Sequence, residues 1–444
     1  MKSVSDLKRE VCAAIEARAD SLYATVEAIT HHPELGFKEH DTAALVSSRF
    51  DDLGIVHRTG IAITGIKAVL DTGRPGPTVA VFGELDSVLV RGHPLCDPLT
   101  GAAHACGHDA QIGTLLGVAA ALATTDVLDS LSGRVALFAV PAEEYVEIEY
   151  RLGLRQQGQI EFLGGKQELI RLGELDDVDL AMMVHTASDV EDDGKAGIVS
   201  SMAGFLAKLI EYRGRAAHAG GQPHKGINAL NAATLALSAI HAQRETFRDE
   251  DTVRVHPIIT KGGELVNVVP AEVKMETYVR AKTVEAMLEA ERKVNRALRA
   301  GALAVGAKVR ITTQAGYMPY ETNPLFASYY KANAEELVGA DNWRFKPHLT
   351  GSSDIGDISQ IMPAIHPFAV GATGSSHGID YRIADPEVAV MVPAKALAMT
   401  LVDLLANDAV AARRLLAETK PKLSKDEYLA VMRQVNSVAE YEES

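Results

Sequence analysis

The sequence predicts an α/β fold in which a discontinuous domain, with a largely parallel sheet flanked by helices, carries a smaller inserted domain. In the first 200 residues, short runs of apolar and β-branched residues alternate with helical stretches, which is typical of parallel strands buried on both faces. From about residue 200 the order of elements becomes β-α-β-β-α-β, which is typical of a ferredoxin-like fold. The length of 444 residues exceeds the ~250–300 residues at which single domains usually stop growing.

The first part of the chain begins with a predicted helix over residues 5–30, where apolar side chains recur at helical spacing. Strands and helices then alternate up to about residue 184. The predicted strands are Gly65–Leu70, Thr78–Phe82, Arg134–Val140 and Leu180–Val184, and the predicted helices between them and before them are Asp41–Leu53 and Asp109–Thr124.

The inserted domain is predicted to contain four strands and two helices. The strands are Phe205–Tyr212, Val253–Thr260, Glu272–Ala281 and Lys308–Gln314, and the helices are Gly226–Gln243 and Val284–Ala302. After Gly316 the first pattern resumes, with a helix at Pro324–Val338, a strand at Phe368–Val370 and a helix at Val392–Leu405. Residues 1–199 and 317–444 are therefore assigned to the discontinuous domain and residues 200–316 to the ferredoxin-like insert. The tail beyond Asp408 is expected to be helical and exposed.

The composition of the chain excludes some classes of function and indicates a cellular compartment. Acidic residues outnumber basic ones by 59 to 44, so the net charge of −15 argues against binding to nucleic acid or to an anionic membrane. Three cysteines are too few for a disulfide framework, and the N-terminus lacks the apolar core of a signal peptide. The longest apolar stretch, Ile112 to Ala123, is too short to span a bilayer. We therefore expect a cytoplasmic protein that is not bound to a membrane.

A motif that joins a thiol to an imidazole precedes the predicted helix at Asp109–Thr124. It reads His104-Ala-Cys106-Gly-His108-Asp109, so Cys106 and His108 are two residues apart. Cysteine and histidine together suit a borderline-soft ion such as Zn²⁺. An isolated motif of this kind is more often a buried cysteine beside a capping aspartate, and the interpretation therefore depends on what else lies nearby.

Other ligand-type side chains follow predicted strands. Glu143 and Glu144 come directly after Arg134–Val140, His185 follows the strand that begins at Leu180, and His377 lies in a glycine-rich loop after Phe368–Val370. Open α/β sheets bind ligands at the carboxyl ends of their strands. Each residue alone could be structural, but together they predict a metal site. One glutamate can bind metal while its neighbour accepts a proton from water activated by the metal.

Motifs typical of three other enzyme classes are incomplete or absent. Gly374-Ser-Ser376-His-Gly378 matches the nucleophile elbow of α/β-hydrolases, but that fold needs its catalytic histidine later in the chain, and His377 is the only histidine after Ser376. The sequence contains no H-E-x-x-H motif and no P-loop motif. These observations favour a metal-dependent reaction over serine or phosphate chemistry.

At these residues the sequence resembles the dinuclear metallopeptidases and amidohydrolases of the aminoacylase and carboxypeptidase G type. Within them it is most similar to the amidohydrolase branch that includes indole-acetyl-amino-acid hydrolases and aminobenzoyl-glutamate utilisation protein B. The resemblance spans about residues 10–405. It is carried by the motifs Gly83-Glu-Leu-Asp86, His104-Ala-Cys-Gly-His-Asp109, Pro141-Ala-Glu-Glu144, Gly214-Arg-Ala-Ala-His218-Ala, Gly262-Gly-Glu-Leu-Val-Asn267-Val-Val-Pro270 and Gly351-Ser-Ser-Asp354-Ile-Gly-Asp357.

The resemblance implies a role for each residue of the site. Two divalent ions, Zn²⁺ or Mn²⁺, would be bound by five side chains, with the thiolate as the bridge: Cys106, His108, Glu144, His185 and His377. Glu143 would be the general base, and Asp86 would orient an imidazole from behind. His218 would contact the substrate or the oxyanion, reaching across a homodimer. Asn267 and Arg280 would bind a substrate carboxylate, to which the arginine side chain is suited.

The predicted function is that of a metal-dependent amidohydrolase that cleaves a C–N bond of a small N-acyl or N-aroyl amino acid. Two alternatives stay open: hydrolytic deamination of an aromatic amine at the same site, and a non-catalytic metal-binding scaffold. The pair of Glu143 and Glu144 argues against the scaffold, because a structural site needs no base. Residues 145–164 depart from the family, which passes more directly to its Gly-Lys helix. They form either a surface loop or a segment that reshapes the pocket.

Overall fold

The computed structural model describes residues 2–190 and 194–442, and the chain divides into two compact units. The first unit contains the chain up to Ser200 together with Glu321–Pro347 and Asp357–Ser424. The second unit contains Ser201–Tyr320, His348–Gly356 and the chain from Lys425 onward. Each unit is thus built from three segments that are far apart in the sequence.

Helices and strands are numbered along the chain. The helices are α1 (Val4–Glu16), α2 (Ala19–Thr30), α3 (His40–Asp52), α4 (His108–Ala123), α5 (Ile148–Gln156), α6 (Gly165–Leu172), α7 (Ala229–Gln243), α8 (Val284–Leu303), α9 (Pro324–Val338), α10 (Ile355–Ile361), α11 (Val392–Glu418) and α12 (Lys425–Val435). The strands up to residue 213 are β1 (His57–Ile61), β2 (Gly65–Asp71), β3 (Thr78–Glu84), β4 (Val88–Leu89), β5 (Ala102–Ala103), β6 (Arg134–Val140), β7 (Leu180–Met182), β8 (His185–Ser188), β9 (Ala196–Val199), β10 (Ser201–Met202) and β11 (Gly204–Arg213). The later strands are β12 (Arg254–Val255), β13 (Ile258–Lys261), β14 (Glu272–Ala281), β15 (Lys308–Ala315), β16 (Tyr320–Glu321), β17 (Trp343–Lys346), β18 (Ala364–Ile365), β19 (Pro367–Thr373), β20 (Arg382–Ile383) and β21 (Ser437–Tyr441).

The main sheet of the first unit has the strand order β1-β2-β6-β3-β7-β18. Strands β6, β3, β7 and β18 pair in parallel, whereas β1 and β2 are antiparallel additions at one edge. Every side chain of β3 is buried, as expected of a strand covered on both faces. The structure therefore confirms a mixed α/β fold with a mostly parallel sheet and flanking helices.

Helix α4 lies at the centre of this unit. Its side chains are buried from His108 to Leu122, and it packs against α1, α2 and α11. Helix α11, with the turn that precedes it (Glu387–Glu418), is long and apolar enough to cross a membrane, but 89% of its most apolar window is buried inside the protein. The burial explains why α11 is so apolar, because this helix packs against α4 in the core.

The second unit contains a sheet with the order β12-β14-β11-β15-β21, and β13 also pairs with β14. Its strands are antiparallel neighbours, with Gly204 opposite Ala281 at one end of the β11–β14 ladder. Alternate side chains of β14 are buried in a cluster with side chains of α7 and α8. The helices therefore cover one face of this sheet.

Three expectations from the sequence were wrong in detail. The helix predicted over residues 5–30 is two helices, interrupted after Glu16, so that each buries its own apolar stripe. The predicted strand Val253–Thr260 is divided into β12 and β13 by Pro257, which has no N–H for a strand ladder. The tail is not wholly helical or exposed: β21 pairs with β15, and Tyr428 is fully buried.

Truncation of Leu115 in α4 tests the central position of this helix. Leu115 is 0% exposed, so Leu115→Ala should lower the free energy of unfolding by about 2–5 kcal/mol through lost burial and a cavity. Val56→Ala, at a side chain that is 88% exposed, is the control and should change stability by less than about 0.5 kcal/mol. Urea unfolding followed by circular dichroism measures both. Equal midpoints for the two variants would contradict the central role of α4.

Candidate metal centre

The site lies at the carboxyl ends of three neighbouring parallel strands of the first unit. Strand β3 ends at Glu84, β6 leads into Glu143 and Glu144, and β7 leads into His185. Because these strands are adjacent in the order β6-β3-β7, their carboxyl ends meet at one edge of the sheet. This is where an open α/β sheet holds a ligand, as the sequence predicted.

The start of α4 adds Cys106 and His108, and a glycine makes their approach possible. Gly107 has a φ of 91°, in the left-handed region that favours glycine. A Cβ atom at this position would lie 2.6 Å from Cβ of Thr186 and 2.6 Å from the hydroxyl of Tyr381. The residue between the cysteine and the histidine is therefore glycine for reasons of both conformation and space.

The predicted ligands form two overlapping groups. Ligand atoms of Cys106, His108 and His185 all lie within 4.8 Å of one another, and so do those of Cys106, Glu144 and His377. Cys106 belongs to both groups, as a bridging thiolate would. Thiolate, imidazole and carboxylate donors at these separations fit two divalent ions. The structure thus brings all five predicted ligands together.

Two of the histidines present the same ring nitrogen to the site. Nδ1 of His108 lies 2.8 Å from the carbonyl oxygen of Asp86, and Nδ1 of His185 lies 2.8 Å from that of Thr186. If each Nδ1 donates to its carbonyl, Nε2 of each ring is left as the metal-binding atom. Nε2 of His185 accordingly points to the site and lies 3.4 Å from Sγ of Cys106.

The electrostatics of the protein alone favour positive charge at this place. Burial and Glu144 act to raise the pKa of the Cys106 thiol, but His185 and His108 outweigh them and lower it to about 6. Hydrogen bonds to Cys106 and Glu144 raise the pKa of His377 to about 11, and Nε2 of His377 lies 3.0 Å from Oε1 of Glu144. The imidazoles thus favour the ionised form of the Cys106 thiol, which is the form that binds metal.

Asp86 lies behind the cluster, in contact with His108. Its Oδ1 is 3.3 Å from Nδ1 of His108, and its Oδ2 accepts a hydrogen bond of 2.8 Å from the backbone N–H of Glu144. Asp86 is fully buried. One carboxylate thus contacts both a histidine of the cluster and the backbone of the glutamate pair.

Sequence reasoning missed a buried ion pair beside His108. Oε1 of Glu84 lies 2.5 Å from Nζ of Lys166, and its Oε2 accepts a hydrogen bond of 2.7 Å from Gln111 and lies 3.1 Å from Nε2 of His108. Burial acts to raise the pKa of Glu84, but Lys166 and His108 outweigh it and lower that pKa. Glu84 lies in the motif Gly83-Glu-Leu-Asp86, but Lys166 is 82 positions away, and no local pattern indicates that the two residues pair.

The remaining predicted site residues belong to the second unit. His218 is exposed, and its Nδ1 accepts hydrogen bonds from the backbone of Gly220 and Gly221. Asn267 is its close neighbour, since the carbonyl oxygen of Asn267 accepts a hydrogen bond of 2.9 Å from Ala219. Arg280 donates a hydrogen bond of 2.7 Å to Oγ of Ser352. The predicted contact residues His218 and Asn267 thus lie in two neighbouring surface loops that this hydrogen bond joins.

Comparison with known proteins identifies relatives along nearly the whole chain. Mouse Xaa-Arg dipeptidase is 29% identical over 448 aligned positions, which cover 95% of this chain and 94% of the relative. The IAA-amino acid hydrolase ILR1-like 6 of Arabidopsis thaliana is 28% identical, with 77% of this chain and 70% of the relative covered. Both are named as hydrolases of amino-acid conjugates or dipeptides.

A solved structure shares the fold. The Bacillus subtilis YXEP protein, described as a dinuclear metal-binding peptidase, superposes with a TM-score of 0.66 at 20% identity, covering 89% of this chain and all of the other. The sequence profile of the family described as Peptidase family M20/M25/M40 matches residues 82–402. These findings confirm the predicted resemblance and the predicted class of enzyme, a metal-dependent hydrolase of C–N bonds. The chain belongs to peptidase family M20/M25/M40.

Proposed function

We propose that this protein hydrolyses the amide bond of a small N-acyl or N-aroyl amino acid. The observation that carries the proposal is the position of Glu143. It directly precedes Glu144 of one metal-binding group and forms, with Glu84 and His108, a further cluster of ligand atoms within 4.8 Å of one another. A carboxylate at this place can accept a proton from a water molecule and return it to the leaving amine.

The roles of the other residues follow from this reaction. Cys106, His108 and His185 would hold one ion, and Cys106 with Glu144 and His377 would hold the second. The ions would supply Lewis acidity, which lowers the pKa of water and polarises the amide carbonyl. Asp86 keeps the imidazole of His108 in place.

The second unit is proposed to bind the rest of the substrate. Its strand order and paired helices support a ferredoxin-like insert that acts as a lid and as the dimerisation domain. His218 would stabilise the oxyanion, within a homodimer, and Asn267 and Arg280 would bind the carboxylate of the amino acid. The guanidinium carbon of Arg280 lies 5.1 Å from the ring centre of Phe205 and 5.4 Å from that of Tyr278, which gives it two cation–π contacts.

The proposal also includes the identity of the metal ions and the cellular compartment of the protein. The resemblance admits Zn²⁺ or Mn²⁺; the thiolate and imidazole donors suit Zn²⁺, whereas Mn²⁺ prefers oxygen donors. The excess of acidic residues supports a small-molecule substrate and no nucleic-acid partner, and the low cysteine content supports the cytoplasm.

Replacement of Glu143 tests the general base. Glu143→Gln keeps the size of the side chain but removes its basicity, so kcat should fall by about 10²–10⁴-fold. Metal content, measured by inductively coupled plasma mass spectrometry, should stay at the parent value because Gln leaves the five ligands in place. Hydrolysis at the parent rate by a variant that retains its metals would exclude Glu143 as the base.

Replacement of Cys106 tests the bridging ligand. Cys106→Ala should lower the number of ions retained per chain and reduce kcat strongly, because both groups of ligands share this thiolate. Cys12→Ala is the matched control, since Cys12 is a free cysteine that packs against the helical core. Chelation should likewise abolish turnover in the parent protein, with recovery on addition of Zn²⁺ or Mn²⁺. Equal metal content in both variants would argue against a bridging thiolate.

A substrate screen separates amide hydrolysis from deamination. The protein, loaded with metal, is incubated with N-acyl and N-aroyl amino acids and, separately, with aminobenzoates. We expect release of a free amino acid from the first group and no ammonia from the second. Ammonia from the aminobenzoates would favour hydrolytic deamination, and a protein that binds no stoichiometric metal would favour the non-catalytic scaffold.

A further inference from the structure

The segment 145–164, which follows Glu144 directly, is built around a buried arginine. It contains α5 (Ile148–Gln156), and the side chain of Arg151 in this helix is 0% exposed. A guanidinium is normally solvated, so its complete burial requires partners for its N–H groups. Two of the partners are carbonyls of the loop that carries the glutamate pair, and the third is the carbonyl of Leu163 near the end of the segment.

The guanidinium of Arg151 donates hydrogen bonds to backbone carbonyls on both sides of Glu143. One terminal nitrogen donates to Leu163 at 2.6 Å and to Ala142 at 3.3 Å, and the other donates to the carbonyl of Glu144. The ring of Phe37 lies 5.4 Å from the guanidinium carbon, where a cation–π contact adds to the hydrogen bonds. Arg151 thus binds the backbone of the loop rather than its side chains.

The same loop is held from the opposite side by a buried carboxylate. Ala142 has a φ of 55°, which is unfavourable for a residue with a Cβ atom, so this conformation needs support from its surroundings. Its N–H donates to Oε1 of Glu39 at 2.8 Å, and Oε2 of Glu39 accepts a hydrogen bond from Thr64. The peptide groups of Ala142 are therefore bound by Glu39 on one side and by Arg151 on the other.

The segment is also tied down at its start. Nζ of Lys38 lies 2.8 Å from both carboxylate oxygens of Glu147, immediately before α5. A Cβ atom on Gly36 would lie 2.4 Å from a terminal nitrogen of Arg151, so a larger residue at this position would displace the guanidinium. Lys38 thus binds the residue before α5, and Gly36 leaves the space that the side chain of Arg151 occupies.

We propose that Arg151 is a positioning residue: it acts through the backbone of Ala142 and Glu144 to hold the side chains of Glu143 and Glu144 in place. The inference rests on the proposed function, because it assigns to these glutamates the roles of base and ligand. Segment 145–164 is then neither a loose surface loop nor primarily a substrate pocket, but a support for the metal centre. Lysine could not replace Arg151, because one ammonium cannot match a planar fork that reaches three carbonyls.

Two substitutions at Arg151 and one control test this proposal. Arg151→Met keeps an unbranched side chain against Phe37 but removes all N–H donors, and Arg151→Lys keeps the charge with a single nitrogen. Arg155→Met is the control, one turn further along α5 and only partly buried. For each protein, kcat and KM are measured on the best amide substrate, and Co²⁺ is titrated into the metal-free protein while its visible absorption is recorded.

We expect both Arg151 variants to lose about 10–100-fold in kcat and in Co²⁺ affinity, the usual loss when a residue that orients metal ligands is removed. KM should change little, and the Co²⁺ absorption should shift because the ligand geometry is altered. Arg155→Met should behave like the parent protein. Co²⁺ binding gives a readout that does not depend on the choice of substrate.

Folded Arg151 variants with parental kcat and Co²⁺ spectra would overturn the proposal, even if their melting temperatures were lower, because Arg151 would then serve only stability. Failure of both variants to fold, with Arg155→Met intact, would overturn it for the same reason. A parent protein that hydrolyses no amide would instead contradict the proposed function. In that case the Co²⁺ titrations would still decide whether Arg151 positions the ligands.

Discussion

A thiolate and several carboxylates that are buried at one edge of a sheet require positive charge beside them. Lysine and histidine side chains supply this charge at the site. Glu84 is paired with Lys166 although both are fully buried, and Glu144 is paired with His377. In the protein without metal, Cys106 is held as a readily ionised thiol by the neighbouring imidazoles. Buried charges without such partners would carry a large desolvation cost. The cluster is therefore suited to bind cations before any reaction is considered.

The second constraint is on the backbone that carries Glu143 and Glu144. It follows β6 in a turn with a left-handed alanine, and buried side chains from three different segments bind its peptide groups: Glu39 and Asp86, which are distant in the sequence, and Arg151 of the segment that follows. Each of these side chains is out of contact with water. Catalytic groups act best when their positions are set before the substrate arrives, because the entropy of ordering is then paid during folding. The support of this loop therefore links the packing of the first unit to its proposed chemistry.

Local sequence patterns predicted the limits of some of the described helices and strands but not of others. Strand β6 and helix α9 have the predicted limits, because both are bounded by clear signals such as the glycine before Arg134 and the proline that begins α9. A metal site was predicted because ligand-type side chains follow strands or precede a helix and the ends of parallel strands converge, whereas the choice of the five ligands came from the family resemblance. The break after Glu16 and the strand at Ser437–Tyr441 were missed, since they depend on which surfaces the core and β15 offer.

The sequence by itself determined the mixed α/β fold, the family and the residues that converge at the sheet edge, because periodicity and motif spacing are local properties. Only the tertiary structure decided which side chains neutralise and hold that cluster. Glu84 and Lys166 are 82 positions apart, and Glu39 and Ala142 are 103 positions apart. The role of segment 145–164 was likewise open in the sequence, because the hydrogen bonds of Arg151 go to backbone carbonyls, which every residue carries and no sequence pattern distinguishes.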